Sequence, residues 1–144
     1  MSPTIVHTPG ELAMKWVVIV VRTLVGVGLT ITGLDGFLHF LGMKPPPETP
    51  EAAVAFGTIL ATSGYMYGVK ACELLGGILL ASGRMAPLGI TFLMPVAVNI
   101  LLFEVCLSKQ LGPGVILVVL LLFLIVAYRG YFARVFTMNA KIGG

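Results

Sequence analysis

The sequence predicts an all-α integral membrane protein: a four-transmembrane-helix bundle with a short interfacial or re-entrant helix before the second span. Three observations predict this fold class. The 144 residues are 58% hydrophobic and only 10% charged, their mean hydropathy is +1.03, and apolar segments of membrane-spanning length follow one another at short intervals. A soluble domain carries about 25% charged residues. A single transmembrane domain over residues 1–144 is therefore expected, without space for a soluble catalytic domain.

The first predicted span covers residues 15–41. Its small residues Gly26, Thr30 and Gly33 fall on one face, which allows a second helix to approach closely. The proline-rich stretch that follows, residues 42–50, is incompatible with a helix because proline removes backbone donors and fixes an extended conformation.

A short helix over residues 50–63 and a second span over residues 66–83 are expected next. An unbroken helix through both would measure about 50 Å at 1.5 Å per residue, well beyond a hydrocarbon core of about 30 Å. Ser63-Gly64 is the natural break. The third and fourth spans are predicted at residues 87–107 and 114–132, and the fourth is apolar on all sides until Tyr128.

Basic residues near the segment ends indicate the orientation. Lys44 and Lys109 lie on one side of the predicted bundle, and the opposite side holds the larger group: Lys15, Arg84, Arg129, Arg134 and Lys141. Because cytoplasmic loops carry the excess of Lys and Arg, both termini are predicted to be cytoplasmic. These charges are topological signals and do not form a patch for nucleic acid.

Polar residues within the spans are the candidate ligand-binding residues. Counting depth by helical rise places six in the outer half and Arg22 in the inner half; the six are Asp35, His39, Lys70, Glu73, Asn99 and Glu104. An ionisable group at such depth needs a partner or a function. One interpretation is local pairing, since Asp35 with His39 and Lys70 with Glu73 have helical spacing. The other is convergence in a pocket between helices, where carboxylate and imidazole serve a redox-active headgroup.

Other kinds of site have weaker support. Arg22 is expected to extend towards the cytoplasmic headgroups, with a buried carboxylate or a ligand oxygen as the alternative partner. One His and three carboxylates are plausible ligands for a metal ion, so a metal site is an alternative. It is not the prediction, because no HExxH or paired Glu-x-x-His motif is present. Cys72 and Cys106 suit apolar packing better than a redox pair.

Residues 72–84, CELLGGILLASGR, followed by Pro87-Leu88, resemble the second span of the DoxX-like family of small four-helix bacterial membrane proteins. In that family a Glu-x-x-Gly-Gly-x-Leu-Leu run precedes a glycine and a short turn. Arg22 with Gly26 and residues 33–40 extend the resemblance, which covers residues 15–130. It implies location in the bacterial inner (cytoplasmic) membrane and association with redox complexes, since the family is named after a subunit of a thiosulfate:quinone oxidoreductase. The family positions that it carries over are Arg22, Glu73 and Arg84.

The resulting hypothesis is a membrane subunit associated with electron transfer that binds a quinone or similar isoprenoid lipid between its helices. Glu73 and its neighbours would contact the headgroup. The alternative is a non-catalytic structural or accessory subunit, because the apolar fourth span needs lipid, another membrane subunit or a second copy of the chain against it. A transporter is a third option, for which four spans are few. Whether the chain is an enzyme stays open.

Overall fold

A computed structural model describes residues 8–42, 44 and 49–135 of the chain. Lys141 and residues 45–47 of the proline-rich stretch lie outside the described residues. Within this part the protein is all-helical. The elements are α1 (Pro9–Leu38), α2 (Glu51–Thr62), α3 (Tyr65–Ser82), α4 (Ala86–Leu102), which continues into a π-helical segment (Phe103–Ser108), α5 (Pro113–Ala127) and α6 (Arg129–Phe132).

Helix α1 begins at Pro9, earlier than the predicted span. Proline is favourable at the first helical position because its missing N–H would have no partner there. The Glu11 carboxylate also accepts a hydrogen bond from the Thr8 N–H at 3.1 Å, which satisfies a donor at the helix start. At the other end His39 adopts a left-handed conformation with φ of 52° and closes the helix.

The small residues of α1 contact α3, as predicted from their shared face. A Cβ atom at Gly33 would lie 2.7 Å from the backbone nitrogen of Leu74. One at Gly77 would lie 2.7 Å from the backbone nitrogen of Thr30. A Cβ atom this close to a backbone atom would clash. The two helices can therefore pack with their backbones close together only because these positions are glycines.

The helices are arranged as a ring in which α1 packs on α3, α3 on α4, α4 on α5, and α5 over a shorter stretch on α1. The centre is filled by fully buried apolar side chains: Leu80, Ile90, Leu93, Leu121 and Leu124. Helix α2 lies outside this ring against α3 and the π-helical segment. The weak α1–α5 contact leaves open space between those two helices.

The predicted break at Ser63-Gly64 is confirmed. Helices α2 and α3 meet there at an 83° bend, and Gly64 takes a φ of 78°, which a residue without Cβ adopts at little cost. Because of this bend, α2 does not continue along the axis of α3. This is the arrangement expected for a short helix that precedes the second span.

Two helices in the described part are long and apolar enough to cross a membrane, Pro9–Leu38 and Ala86–Ser108, and a third span results if α2 and α3 count as one bent pair. Only 17% of the most apolar window of α1 is buried in the protein, so its apolar surface faces outwards. The chain is thus a helical membrane protein with two or three candidate spans. Helix α5 has 15 residues and is short for a span of about 20, so the fourth span stays a prediction.

Candidate functional site

The polar centre of the molecule is an ion pair between Lys70 and Glu73, one turn apart on α3. The Lys70 Nζ lies 2.8 Å from Glu73 Oε2, and the side chains are 21% and 5% exposed, respectively. The Thr32 hydroxyl of α1 shares its one proton between the same carboxylate oxygen and the Leu29 carbonyl oxygen of its own helix, both at 3.3 Å. Glu73 is therefore held between α1 and α3 with charged and neutral donors on one oxygen.

A glycine on α1 makes space for the lysine. The stem of Lys70 packs directly over Gly36, where any Cβ atom would collide with the lysine Cγ. This contact keeps the lysine stem between the two helices and directs its ammonium group back to the carboxylate. The pair is thus positioned by packing between helices as well as by its spacing along α3.

A first opening next to the pair, the α1–α5 groove, is lined by apolar side chains of those helices. Leu24, Val25 and Leu29 of α1 and Leu117 and Leu120 of α5 form its walls, and Thr32, Lys70 and Glu73 lie at its polar end. The groove has a volume of about 450 Å³, within the usual range of about 300–1,000 Å³ for ligand sites. It is an open apolar groove with an ion pair at one end.

A second opening, the α2 cleft, lies on the other side of the same pair. Phe56 and Leu60 of α2, Val96 and Phe103 from α4 and its π-helical continuation, and Asn99 surround it together with Lys70 and Glu73. Its volume is about 230 Å³. Lys70 and Glu73 line both openings, so the ion pair separates an apolar groove from a smaller cleft with an amide on its wall.

The structure thus brings together three of the predicted outer polar residues: Lys70, Glu73 and Asn99. Glu104 has a different role. It is buried, and its two carboxylate oxygens accept the N–H groups of Gly112 (3.1 Å) and Gly114 (2.8 Å). These donors belong to the start of α5, where a negative charge complements the helix dipole. Glu104 therefore stabilises the turn before α5, and both of its carboxylate oxygens already accept hydrogen bonds from backbone N–H groups.

Asp35 and His39 lie at the C-terminal end of α1 and line neither the groove nor the α2 cleft. Their link is a backbone bond, from the His39 N–H to the Asp35 carbonyl oxygen at 2.7 Å. The Asp35 carboxylate accepts the Leu41 N–H at 2.6 Å, and His39 is exposed. Both residues close the helix end.

Arg22 lies at the other end of the α1–α3 interface. Its guanidinium group covers Gly83, the residue that ends α3 with a φ of 72°. Its buried Nε has no hydrogen-bond partner in the described part of the chain. Arg22 precedes Thr32 by ten positions, or about 15 Å of helix, so it is remote from Glu73.

Thr32 is the site residue that sequence reasoning missed. The signal was present, because Gly28, Thr32 and Gly36 recur every four residues and form a second row of small residues beside Gly33. A hydroxyl in such a row can reach a polar group on the facing helix.

Within residues 8–42, 44 and 49–135, no group of three or more His, Cys, Asp or Glu side chains is placed to hold a metal ion. Comparisons with protein-family models, with curated proteins and with solved structures find no match.

Proposed function

We propose that the chain is a four-span subunit of a bacterial cytoplasmic membrane with both termini in the cytoplasm, in which α1, α3, α4 and α5 cross the bilayer. The ring of neighbouring helices and their outward-facing apolar side chains support this arrangement. The fourth span would comprise α5 together with α6, divided at Tyr128. Lys15 and Arg129 line one cleft and thus mark a common end, which the excess of basic residues assigns to the cytoplasm.

Within this subunit, the α1–α5 groove binds a quinone or a similar isoprenoid lipid whose headgroup meets Lys70 and Glu73. The observation that carries the proposal is the position of this ion pair at the polar end of an apolar groove. A buried ion pair often stabilises a fold no more than well-packed apolar side chains of similar volume do. Its placement beside two openings therefore favours a role in binding.

The groove has the shape that such a lipid needs. From Thr32 to Leu24 it follows eight positions of α1, or about 12 Å of helix, and its far end lies among leucines of α1 and α5. The polar end would bind the quinone ring, and the apolar walls would contact the first part of the isoprenoid tail. Because the groove lies between two helices at the surface of the ring, the remainder of the tail can extend into the bilayer.

The polar groups also suit the chemistry of the headgroup. An ammonium group donates to a quinone carbonyl oxygen, and a carboxylate accepts from a quinol hydroxyl. Charged partners strengthen both hydrogen bonds. Lys70 thus offers a hydrogen-bond donor to the oxidised quinone, and Glu73 offers an acceptor to the reduced quinol. The resemblance of residues 72–84 to the DoxX-like family adds support for a redox-associated subunit.

The test is to purify the full chain from bacterial membranes in a mild detergent and to measure the extracted ubiquinone and menaquinone. Wild-type protein is expected to retain quinone, whereas Glu73→Gln loses most of it. Ile116→Trp, which fills the rim of the groove, is expected to lose it as well. Val119→Trp is the matched control, because Val119 has a similar exposure of 57% against 63% for Ile116 but does not line the groove. Absence of quinone from the wild type, or equal loss in both tryptophan variants, would contradict the proposal.

A second candidate is a structural or accessory subunit without a ligand. It is favoured by the observation that Glu104 and Asp35 are already occupied by backbone donors, so that much of the intramembrane charge serves the fold. Native sizing after mild solubilisation distinguishes the candidates. Migration only within a large assembly, with no bound quinone, supports the accessory subunit.

A further inference from the structure

A third opening lies at the opposite end of the α1–α5 contact and differs in character from the first two. This basic cleft has a volume of about 500 Å³. Its walls are apolar side chains, among them Val18 of α1 and Phe123 and Val126 of α5. Two basic residues also line it, Lys15 of α1 and Arg129 of α6. It shares no residue with the groove at Lys70 and Glu73.

The surroundings of the basic cleft mark the level of a membrane surface. Trp16 and Tyr131, next to the basic residues in sequence, are 65% and 69% exposed, and the Tyr131 ring lies 6.3 Å from that of Tyr128. Exposed Trp and Tyr at the ends of apolar helices are typical of the interface between lipid tails and headgroups. Lys15 and Arg129 line the apolar cleft at the same level as these rings.

From this combination we infer that the basic cleft is a binding site for an anionic phospholipid. The phosphate would lie between Lys15 and Arg129, and one acyl chain would cover Val18, Phe123 and Val126. Charge complementarity selects the headgroup, because anionic lipids are attracted to basic residues at the cytoplasmic surface and to basic pockets between transmembrane helices. The apolar walls select a lipid over a free anion, since they gain contact only from a hydrocarbon chain.

An acidic residue close in sequence is expected to weaken lipid binding at the cleft. Glu11 lies four positions before Lys15 on α1, the spacing at which two exposed helix side chains meet. Ion pairs between exposed side chains are weak, so a lipid phosphate can take the place of the carboxylate. Removal of the Glu11 charge is therefore expected to strengthen lipid binding.

The test uses the full chain in a neutral detergent. Phosphatidylglycerol and phosphatidylcholine with the same acyl chains are titrated separately, and bound lipid is counted by native mass spectrometry. With a factor of about five per basic residue near the surface, phosphatidylglycerol is expected to bind roughly thirtyfold more tightly. The double variant Lys15→Gln/Arg129→Gln is expected to lose this preference, and Glu11→Gln to increase it. Arg129→Gln alone is expected to lose about fivefold of the preference, whereas Arg84→Gln, an equal loss of one charge outside the cleft, is expected to retain it.

Further arms distinguish the alternatives and guard against a misfolded variant. Val126→Trp fills the cleft and leaves its charges in place, so it should weaken phosphatidylglycerol binding, whereas Leu122→Trp, which does not line the cleft, should not. Inorganic phosphate at equal concentration is expected to compete poorly. Equal binding of the two lipids, equal effects of Arg84→Gln and Arg129→Gln, or full competition by inorganic phosphate would each overturn the inference.

Discussion

Removal of the Lys70 charge is expected to destabilise the protein more than removal of the Glu73 charge. In Lys70→Met the Glu73 carboxylate stays buried with only the Thr32 hydroxyl as partner, at 3.3 Å. Breaking a buried pair by deleting one partner costs about 3–5 kcal/mol. Because the lysine side chain is 21% exposed, the pair is not fully desolvated, and the lower end of this range, about 3 kcal/mol, is expected.

The reverse deletion is milder. In Glu73→Gln the lysine loses its partner, but its flexible stem can carry the ammonium group towards water or lipid headgroups, and the amide can still accept from Thr32. A loss of about 1–2 kcal/mol is expected, because one charge-assisted hydrogen bond is removed. The double variant should lose less than the sum of the two, with a coupling free energy of about 2 kcal/mol.

Equilibrium unfolding in mixed micelles with a denaturing detergent measures these losses. The reactivity of Cys72 with a thiol dye reports unfolding, because this free thiol is half-buried, and the background is Cys106→Ser, since Cys106 is exposed. A loss below about 1 kcal/mol for Lys70→Met, or additive losses in the double variant, would refute the view that Glu73 depends on its lysine.

Three further variants test the contacts that hold the site. Glu104→Gln is expected to cost about 1–3 kcal/mol in the same unfolding assay, because an amide offers one acceptor oxygen in place of two to the backbone donors before α5; an unchanged stability would contradict the assigned role. Gly77→Ala should destabilise by several kcal/mol, since its Cβ would lie 2.7 Å from the α1 backbone, whereas Gly68→Ala on the same helix meets nothing within 4 Å and should be neutral or stabilising by up to about 1 kcal/mol. Equal effects of the two would argue against close α1–α3 packing. Gly64→Ala is expected to cost about 1–2 kcal/mol because of its positive φ, and a neutral result would show that the 83° bend does not need this conformation.

The features that could be predicted from the sequence depend on local chemistry. The break at Ser63-Gly64 follows from helix length and a residue that tolerates positive φ. The α1–α3 interface follows from small residues at helical spacing, of which Gly33 is the clearest example. The Lys70–Glu73 pair follows from a separation of three positions on one helix. Each of these depends on residues near one another in sequence, or on the simple absence of a side chain.

The features that could not be predicted depend on how distant segments meet. Glu104 has the composition and depth of a site residue, but the turn after it returns the Gly112 and Gly114 N–H groups to its carboxylate. Asp35 likewise meets the Leu41 N–H beyond the helix end. Depth along a helix predicted only that both residues belong to the outer half. It could not show that backbone donors would occupy them, because unpaired N–H groups at helix ends and turns attract any nearby carboxylate.

The most direct test of the central proposal is photo-crosslinking of the full chain in lipid nanodiscs with an azido-quinone, followed by peptide mapping. Label is expected to accumulate on α1 between Leu24 and Thr32 and on α5 between Ile116 and Leu120, and unlabelled quinone is expected to prevent this labelling. Label that is spread over the lipid-facing surface, or that unlabelled quinone does not displace, would contradict a quinone site at the Lys70–Glu73 pair.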